Sequence, residues 1–206
     1  MKGSFVVIDG GDGTGTTTMS KCAVEEVVRG GRKASWSREP GGSVFAETIR
    51  EVILNPRARH ADAETMFALF WAARRDHLVK KVKPLLEDGA TIICDRFDSS
   101  TWAYQIRGQE QPQLAELFVH MREHYVRDML PDRYIILDAS PEVGLARAKG
   151  RGGTLTHFDE RNIDFHRRVR EGFREFAGVY GATTITAEAP EEVVKAMVLE
   201  VIEPLL

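Results

Sequence analysis

Cysteine is scarce in this chain: only Cys22 and Cys94 occur among its 206 residues. Their positions, in a predicted helix and at a predicted strand end, are typical of reduced thiols. Disulfide frameworks belong mainly to secreted and extracellular proteins, whereas intracellular proteins keep their thiols reduced. We therefore expect no disulfide and a cytoplasmic protein.

Long hydrophobic runs are also missing. The most apolar helical stretch, Met66 to Ala73, is followed at once by Arg74 and Arg75, far short of the roughly 20 apolar residues that cross a bilayer. The first residues lack the basic segment, apolar stretch and cleavage site of a secretory signal. We expect a protein without a membrane span and without a membrane partner.

The chain has no large excess of charge of either sign, since its formal net charge is −3. Such a surface creates no general attraction for nucleic acid, so we expect no polynucleotide partner. The residues are 43% apolar, which is enough for one well-filled core, and strand and helix patterns alternate evenly along the chain. A single domain over residues 1–206 is therefore predicted.

Five short runs rich in apolar and β-branched residues predict strands, with helical patterns between them. They are Ser4 to Asp9, Lys33 to Ser37, Thr91 to Cys94, Tyr134 to Leu137 and Thr183 to Thr186. The alternation predicts a three-layer α/β fold, a five-stranded parallel sheet flanked by helices on both faces. Ligands of such sheets bind at the carboxyl ends of the strands, where most of the polar segments described next lie.

A glycine-rich turn after the first strand has the spacing of a phosphate-binding loop, G-x-x-x-x-G-K-[ST]. Its glycines allow positive φ and a close approach of the backbone to phosphate, and the helix that follows adds partial positive charge. Thr17 occupies the position of the hydroxyl that ligates Mg²⁺. The ATP-phosphate-binding residues expected here are Gly10, Gly13, Thr14, Gly15, Thr16, Thr17 and Thr18.

The lysine of this motif is absent, because Thr16 stands at its position. That lysine normally reaches the β- and γ-phosphates, where charge builds during phosphoryl transfer. Losing one preorganised donor from such a site typically costs about 2.7–4 kcal/mol, or roughly 10²–10³ in turnover. Either another cation compensates or the transfer is slow.

Charged and polar residues follow the second and third predicted strands. Arg38 can clamp a phosphate through two parallel hydrogen bonds, and Arg50 lies on the next helix; a surface ion pair and a solvated arginine are the alternatives. Asp95 can orient metal-bound water beside the glycine-rich loop, with Arg96 pointing into the cleft. The segment Ser100 to Gln105 places hydroxyls and an amide where they can face a nucleoside.

Phe70 and Arg74 lie four residues apart and hence on one helix face. The ring can stack on a base while the guanidinium donates to a base carbonyl. The alternative is a core aromatic residue beside an arginine whose stem packs on apolar surface.

A basic loop follows the fourth strand and its helix, and a further helix is predicted over Phe158 to Phe176. Arg147, Lys149 and Arg151 alternate before two glycines, so the segment of about residues 148–158 is predicted to fold over ATP as a mobile lid. It can deliver positive charge to the transferring phosphoryl group in place of the missing lysine. A merely solvated loop is the alternative.

One further pattern, H-x-x-E-H over His120 to His124, is that of inverted zinc peptidases. Two histidines four residues apart can share a zinc ion, but a peptidase needs a third ligand placed by its own fold. The flanking strands and helices predict a different fold, so we expect an exposed or packed helix face here.

Together these segments resemble the thymidylate kinase family, whose members transfer the γ-phosphoryl group of ATP to dTMP. The matching segments are Asp12 to Gly15, Ser37 to Gly42, Phe70 to His77, Asp95 to Phe97 with Ala103 to Gln105, and Phe165 to Phe173. The resemblance implies a P-loop NTPase-type fold with a mobile lid, ATP and dTMP as substrates, Mg²⁺, and a homodimer. Gly13 stands where one branch of the family has arginine, which implies the bacterial branch with catalytic arginines in the lid.

Individual roles also follow from the resemblance. The residues that it implies for catalysis are Asp12, Arg96, Arg147 and Arg151. Those that it implies for dTMP binding are Asp12, Arg38, Glu39, Pro40, Arg50, Phe70, Arg74, Arg96, Ser100, Thr101, Tyr104 and Gln105. The implied metal ligands are Thr17 and Asp95.

The chain departs from the family pattern at two places. Thr16 replaces the loop lysine, and Thr156 to Asp159 replaces the usual D-R-[FI]-E, so that His157 stands at a lid arginine. Both lost charges would face the same phosphates. We expect an ATP- and Mg²⁺-dependent dTMP kinase; the alternatives are a kinase for dUMP or a 5-modified dUMP, and a nucleotide-binding protein with weak or no catalysis.

Overall fold

A computed structural model describes residues 3–150 and 156–205 of the chain. The described residues form a five-stranded parallel sheet with the strand order β2-β3-β1-β4-β5. Its strands are β1 (Phe5–Gly10), β2 (Ala34–Arg38), β3 (Thr91–Asp95), β4 (Arg133–Asp138) and β5 (Thr183–Thr186). The prediction of a parallel α/β sheet is confirmed, and each strand lies within one residue of its predicted ends.

The helices of the described ranges connect these strands. They are α1 (Thr16–Arg29), α2 (Val44–Leu54), α3 (Ala63–His77), α4 (Lys83–Glu87), α5 (Asp98–Thr101), α6 (Leu114–Tyr125), α7 (Pro141–Gly150), α8 (Ile163–Tyr180) and α9 (Glu191–Ile202). Two π-helical segments, Leu78–Val82 and Trp102–Gly108, continue α3 and α5. None of the helices in these ranges combines the length and the apolar content that a bilayer span requires.

The core consists of two apolar layers, one on each face of the sheet. Along β1, Val6 and Ile8 pack with side chains of α1 and α9, whereas Phe5 and Val7 pack with aromatic residues of α3, α6 and α8. Every residue of β1 is buried, as expected for a central strand of a parallel sheet. Because both faces are covered, ligands can reach the sheet only from the ends of its strands.

The helix predicted over Phe158 to Phe176 begins later than expected. Thr156 donates to the Asp159 carboxylate from both its N–H (2.7 Å) and its hydroxyl (2.6 Å), which holds these residues in a turn. Asn162 then accepts a hydrogen bond from the N–H of Phe165 and caps the first turn of α8. Local side-chain capping therefore sets the start of this helix.

Candidate active site

A cleft of about 400 Å³ opens at the carboxyl ends of β1, β2 and β3. Most of the predicted site residues line it: Asp12, Gly13, Gly15, Thr16, Thr17, Arg38, Glu39, Pro40, Arg50, Phe70, Arg74, Asp95, Arg96, Ser100, Tyr104 and Gln105. Segments that are far apart in the sequence thus converge on one cleft. The wall also includes three residues of the predicted lid segment, Ala148, Thr156 and Phe158, and five residues that were not predicted: Trp36, Ile53, Leu54, Phe97 and Asp159.

The glycine-rich loop wraps tightly around the start of α1. Gly13 and Gly15 adopt φ values of 76° and 92°, in the region that favours glycine. A Cβ atom on Gly13 would lie 1.8 Å from the carbonyl oxygen of Gly144 in α7, so no larger residue fits there. Thr14 turns inward, and its hydroxyl donates to the carbonyl of Gly11 at 2.8 Å.

The first turn of α1 presents free backbone N–H groups to the cleft. The helix begins at Thr16, directly after Gly15, so its first N–H groups have no intrahelical acceptor and can bind an anion. Thr16 itself is only 6% exposed, and its side chain brings a hydroxyl and no charge. Thr18 is exposed and does not contribute to the described cleft wall.

Thr17 and Asp95 place two oxygen ligands side by side. The Thr17 hydroxyl donates to Oδ2 of Asp95 at 2.5 Å. The other carboxylate oxygen, Oδ1, is buried and has no hydrogen-bond partner within the described ranges. Hydroxyl and carboxylate oxygens are the ligands that Mg²⁺ prefers, so this pair fits a divalent cation beside the phosphate loop.

Arg96 links the glycine-rich loop to the end of β3. Its Nη1 donates to the carbonyl of Gly10 at 2.7 Å, and its Nη2 donates to Oδ1 of Asp12 at 3.0 Å. Burial acts to lower the pKa of Arg96, but the neighbouring Tyr104 and Asp12 raise it above its ordinary value. The guanidinium is therefore charged at every relevant pH and holds Asp12 at the cleft wall.

Arg38 and Arg50 bring two more guanidinium groups to the same wall. Arg38 donates from Nη2 to Oε2 of Glu47 at 2.9 Å, and Arg50 donates from Nη1 to the carbonyl of Pro40 at 2.7 Å. Burial lowers the pKa of Arg50, and the positive charge of Arg38 lowers it further. An anion bound between these arginines would relieve their repulsion.

Arg74 and Gln105 line the cleft together with Phe70, and each has one buried donor without a partner among the described residues. Arg74 donates from Nε to Oε2 of Glu39 at 2.8 Å and from Nη2 to the hydroxyl of Thr101 at 3.0 Å. Its Nη1 and the Nε2 of Gln105 are buried and have no partner among the described residues. Buried donors in proteins almost always have an acceptor, and the carbonyl oxygens of a bound ligand can accept from these two. Thr101 itself supports Arg74 from outside the cleft wall.

Arg147 is not among the described residues that line the cleft. Its Nη1 donates to the carbonyl of Ala187 at 2.6 Å, just beyond the end of β5. Within the predicted lid, residues 148–150 end α7, and Arg151 lies outside the described residues. His157, which stands at a lid arginine of the family pattern, has its Nε2 2.9 Å from the carbonyl oxygen of Ile53.

Sequence reasoning missed Asp9, which organises the end of β3. This fully buried carboxylate accepts hydrogen bonds from the N–H of Phe97 (3.1 Å) and the hydroxyls of Ser99 (2.6 Å) and Ser100 (2.7 Å). Burial raises the pKa of Asp9, whereas the Arg96 charge lowers it. An acidic residue inside an apolar strand was the signal that could have identified it.

His166 of α8 was missed as well. Its Nδ1 lies 3.7 Å from Oδ2 of Asp12, the oxygen that Arg96 leaves free. That oxygen and the Nε2 of His166 are buried and lack a hydrogen-bond partner in the part of the chain that is described. Burial lowers the pKa of His166, and the charge of Asp12 opposes this shift.

Two other predicted features lie away from the cleft. His120 of the H-x-x-E-H pattern lies on an exposed face of α6, where its ring nitrogens approach Glu116 (3.8 Å) and Glu123 (4.0 Å). Cys22 is partly buried and Cys94 is buried, and both are free thiols.

Comparison with known proteins agrees with this geometry. The family model described as thymidylate kinase matches residues 8–198. A protein named thymidylate kinase from Caulobacter vibrioides is 39% identical over 85% of this chain and 83% of its own length. Proteins of the same name from Magnetococcus marinus (34% identity, 98% of this chain, 97% of the relative) and Bacillus thuringiensis (37%, 98% of both) are also similar. The chain therefore belongs to the thymidylate kinase family.

Proposed function

We propose that this chain transfers the γ-phosphoryl group of ATP to dTMP, giving ADP and dTDP. The observation that carries this proposal is the convergence of two kinds of site on one cleft. The glycine-rich loop and the start of α1 can hold the phosphates of a donor nucleotide, and Arg38, Arg50 and Arg96 can hold the phosphate of an acceptor. Family membership supplies the identity of the two nucleotides.

The catalytic step needs two nucleotides end to end with their phosphates between the loop and the arginines. Positioning and electrostatic stabilisation account for almost all of the catalysis in phosphoryl transfer. Asp12, held by Arg96 at 3.0 Å, lies where it can orient the acceptor. Thr17 and Asp95 would hold Mg²⁺, which when bound neutralises charge on the phosphate oxygens.

Recognition of the base would depend on the aromatic and polar residues deeper in the cleft. Phe70 offers a ring for stacking, and Arg74 and Gln105 offer buried donors for the carbonyl oxygens of thymine. Tyr104 and Ser100 line the neighbouring wall. A base that lacks one of these carbonyl oxygens would leave a buried donor unpaired. The site would therefore bind such a base less well than thymine.

The missing loop lysine leaves the donor phosphates with fewer cations. The arginines of the described cleft wall are Arg38, Arg50, Arg74 and Arg96, and all four serve the acceptor phosphate or the base in this proposal. Arg147 and Arg151 remain the proposed catalytic arginines, on the strength of the family resemblance. Arg147 would have to exchange the carbonyl of Ala187 for a phosphate oxygen.

We further propose one kinase domain over residues 1–206, which assembles as a homodimer through α2. Val44 and Phe45 are 91% and 61% exposed at the start of this helix, and Val52 is also exposed on it. Adjacent exposed apolar side chains mark association surfaces. Sedimentation of the unmodified protein and of a Phe45→Glu variant tests this proposal. If both proteins sediment as monomers, the proposed homodimer is contradicted.

An ADP-release assay over a panel of nucleoside monophosphates tests the proposed reaction. ATP and Mg²⁺ are held constant, and dTMP, dUMP, dCMP and dGMP are compared. We expect dTMP to give the highest kcat/KM. Preference for dUMP would favour a different pyrimidine kinase, and tight dTMP binding without ADP release would indicate a binding protein.

A further inference from the structure

A chain of buried polar side chains runs behind the part of the cleft that holds Arg74. His77 Nε2 lies 2.6 Å from the Ser37 hydroxyl, and His77 Nδ1 lies 2.9 Å from Oε1 of Glu39. The other oxygen of Glu39 accepts from Nε of Arg74 at 2.8 Å. The side chains of His77, Glu39 and Arg74 are 0%, 3% and 1% exposed, so solvent cannot replace any of these contacts.

The chemistry of the carboxylate fixes the direction of the bond between His77 and Glu39. An ionised carboxylate only accepts, so the Nδ1 of His77 carries a proton and donates to Glu39. The Ser37 hydroxyl, which can either donate or accept, pairs with Nε2 on the other side of the ring. Each oxygen of Glu39 thus has one partner, His77 on one side and Arg74 on the other.

Two aromatic rings contact the guanidinium of Arg74, and a hydrogen bond to Glu39 sets the direction in which its nitrogen atoms point. Its central carbon lies 4.6 Å from the ring centre of Trp71 and 5.1 Å from that of Phe97. Stacking on rings leaves rotation within the plane free, whereas the bonds to Glu39 and Thr101 fix it. The nitrogen that remains, Nη1, has no partner among the described residues.

We propose that His77 is a positioning residue for base recognition: it anchors Glu39, and Glu39 in turn orients the unpaired Nη1 of Arg74 toward the base of the acceptor nucleotide. This inference rests on the proposed function, in which Arg74 faces thymine. His77 touches neither nucleotide and acts through two intervening side chains. Glu39 alone would be a buried carboxylate with one oxygen unpaired, free to pivot away from Arg74.

The backbone at Gly42 lies close to His77 and Ser37. A Cβ atom on Gly42 would lie 2.6 Å from Cδ2 of His77 and 2.6 Å from Oγ of Ser37. The turn after Pro40 therefore packs directly on the imidazole. This close packing limits the space in which the ring can move.

Two amide substitutions separate the roles of the two ring nitrogens. His77→Asn keeps an amide near the position of Nδ1, whereas His77→Gln keeps one near the position of Nε2. We expect His77→Gln to raise the KM for dTMP by roughly tenfold or more, with a smaller change in kcat and in the KM for ATP. His77→Asn should retain much of the unmodified KM, and Ser37→Ala, which removes only the bond at Nε2, should change it little.

Base selectivity provides the readout that a general loss of packing would not change. dCMP carries an amino group where dTMP has a carbonyl oxygen that can accept from Arg74. His77→Gln should therefore lower the ratio of kcat/KM for dTMP to that for dCMP, and in an Arg74→Met background it should have no further effect on that ratio. Equal losses on both nucleotides, or an additive effect in the double variant, would overturn the positioning role.

Glu39→Gln provides a second variant, in case His77→Gln folds poorly. It keeps the shape of the side chain but removes one of two acceptors for the buried donors of His77 and Arg74. We expect the same loss of selectivity between dTMP and dCMP, and an unchanged ratio would contradict the proposal. Activity of the unmodified protein on dTMP tests the proposed function separately.

Discussion

Thr17 donates a 2.5 Å hydrogen bond to Asp95, although the two residues lie 78 positions apart in the sequence. The bond joins the first turn of α1 to the end of β3 and leaves Oδ1 of Asp95 buried without a partner within the described residues. A buried carboxylate oxygen that lacks a donor is a costly feature unless a cation or water completes it. The pair therefore offers a carboxylate oxygen to the Mg²⁺ ion proposed above.

Asp95→Asn should weaken the binding of Mg²⁺ and slow the reaction. The amide keeps the size of the side chain but removes the negative charge, so we expect kcat to fall by roughly 10²-fold or more. Turnover measured against Mg²⁺ concentration checks this, because half-saturation should move to higher concentration. Thr17→Ser keeps the hydroxyl and is the matched control; an unchanged Mg²⁺ titration for Asp95→Asn would contradict the assignment.

Thr16→Lys should raise turnover, because it restores a cation to a position that lines the cleft. A lysine there can reach the transferring phosphoryl group, so we expect kcat to increase by roughly 10²-fold. Steady-state kinetics with saturating ATP and dTMP measures the change. Thr16→Ala removes the hydroxyl without adding charge and should not raise kcat. Unchanged turnover for Thr16→Lys would mean that another cation already serves the phosphates.

The strands and the cleft were predictable because local patterns determine both. Apolar runs such as Phe5 to Ile8 specify strands, and the carboxyl ends of parallel strands must meet. The partners of Asp9 and His77 were not predictable, since they lie far away in the sequence: Ser99 lies 90 positions from Asp9, and Glu39 lies 38 from His77. No periodic pattern encodes such pairs.

The start of α8 and the position of Arg147 show two further limits of the sequence. Helical periodicity continued back to Phe158, but side-chain hydrogen bonds of Thr156 and Asn162 hold a turn there. Arg147 belongs to a basic segment, yet its guanidinium is bonded to the carbonyl of Ala187. The pattern of charges along the sequence predicts which residues can bind a phosphate. It does not show that a carbonyl of the protein, here that of Ala187, competes with the phosphate for the same arginine.

Arg147→Ala tests whether this arginine leaves Ala187 during the reaction. If it stabilises the transferring phosphoryl group, kcat should fall by roughly 10²-fold with little change in the KM for dTMP. If it only tethers α7 to the end of β5, kcat should be preserved and unfolding should cost about 1 kcal/mol less. Steady-state kinetics and urea unfolding distinguish the two results, with Lys149→Ala on the same helix as the control.

The environment of His166 makes the stability of the protein depend on pH. The groups that face it are Asp12 (3.7 Å), Asp159 and Arg161. Burial lowers the pKa of His166 in the folded protein below its ordinary value. As pH falls through the ordinary histidine pKa of about 6.5, the unfolded chain therefore binds a proton that the folded chain resists, and the free energy of unfolding decreases.

His166→Gln should make the stability less dependent on pH between about pH 7.5 and pH 5.5, because glutamine does not titrate near the histidine pKa of about 6.5. Urea unfolding at several pH values measures this: the unmodified protein should lose more of its free energy of unfolding on acidification than the variant. His120→Gln makes the same substitution at an exposed position of α6 and is the matched control. An equally steep loss of stability in His166→Gln would show that other groups take up the proton.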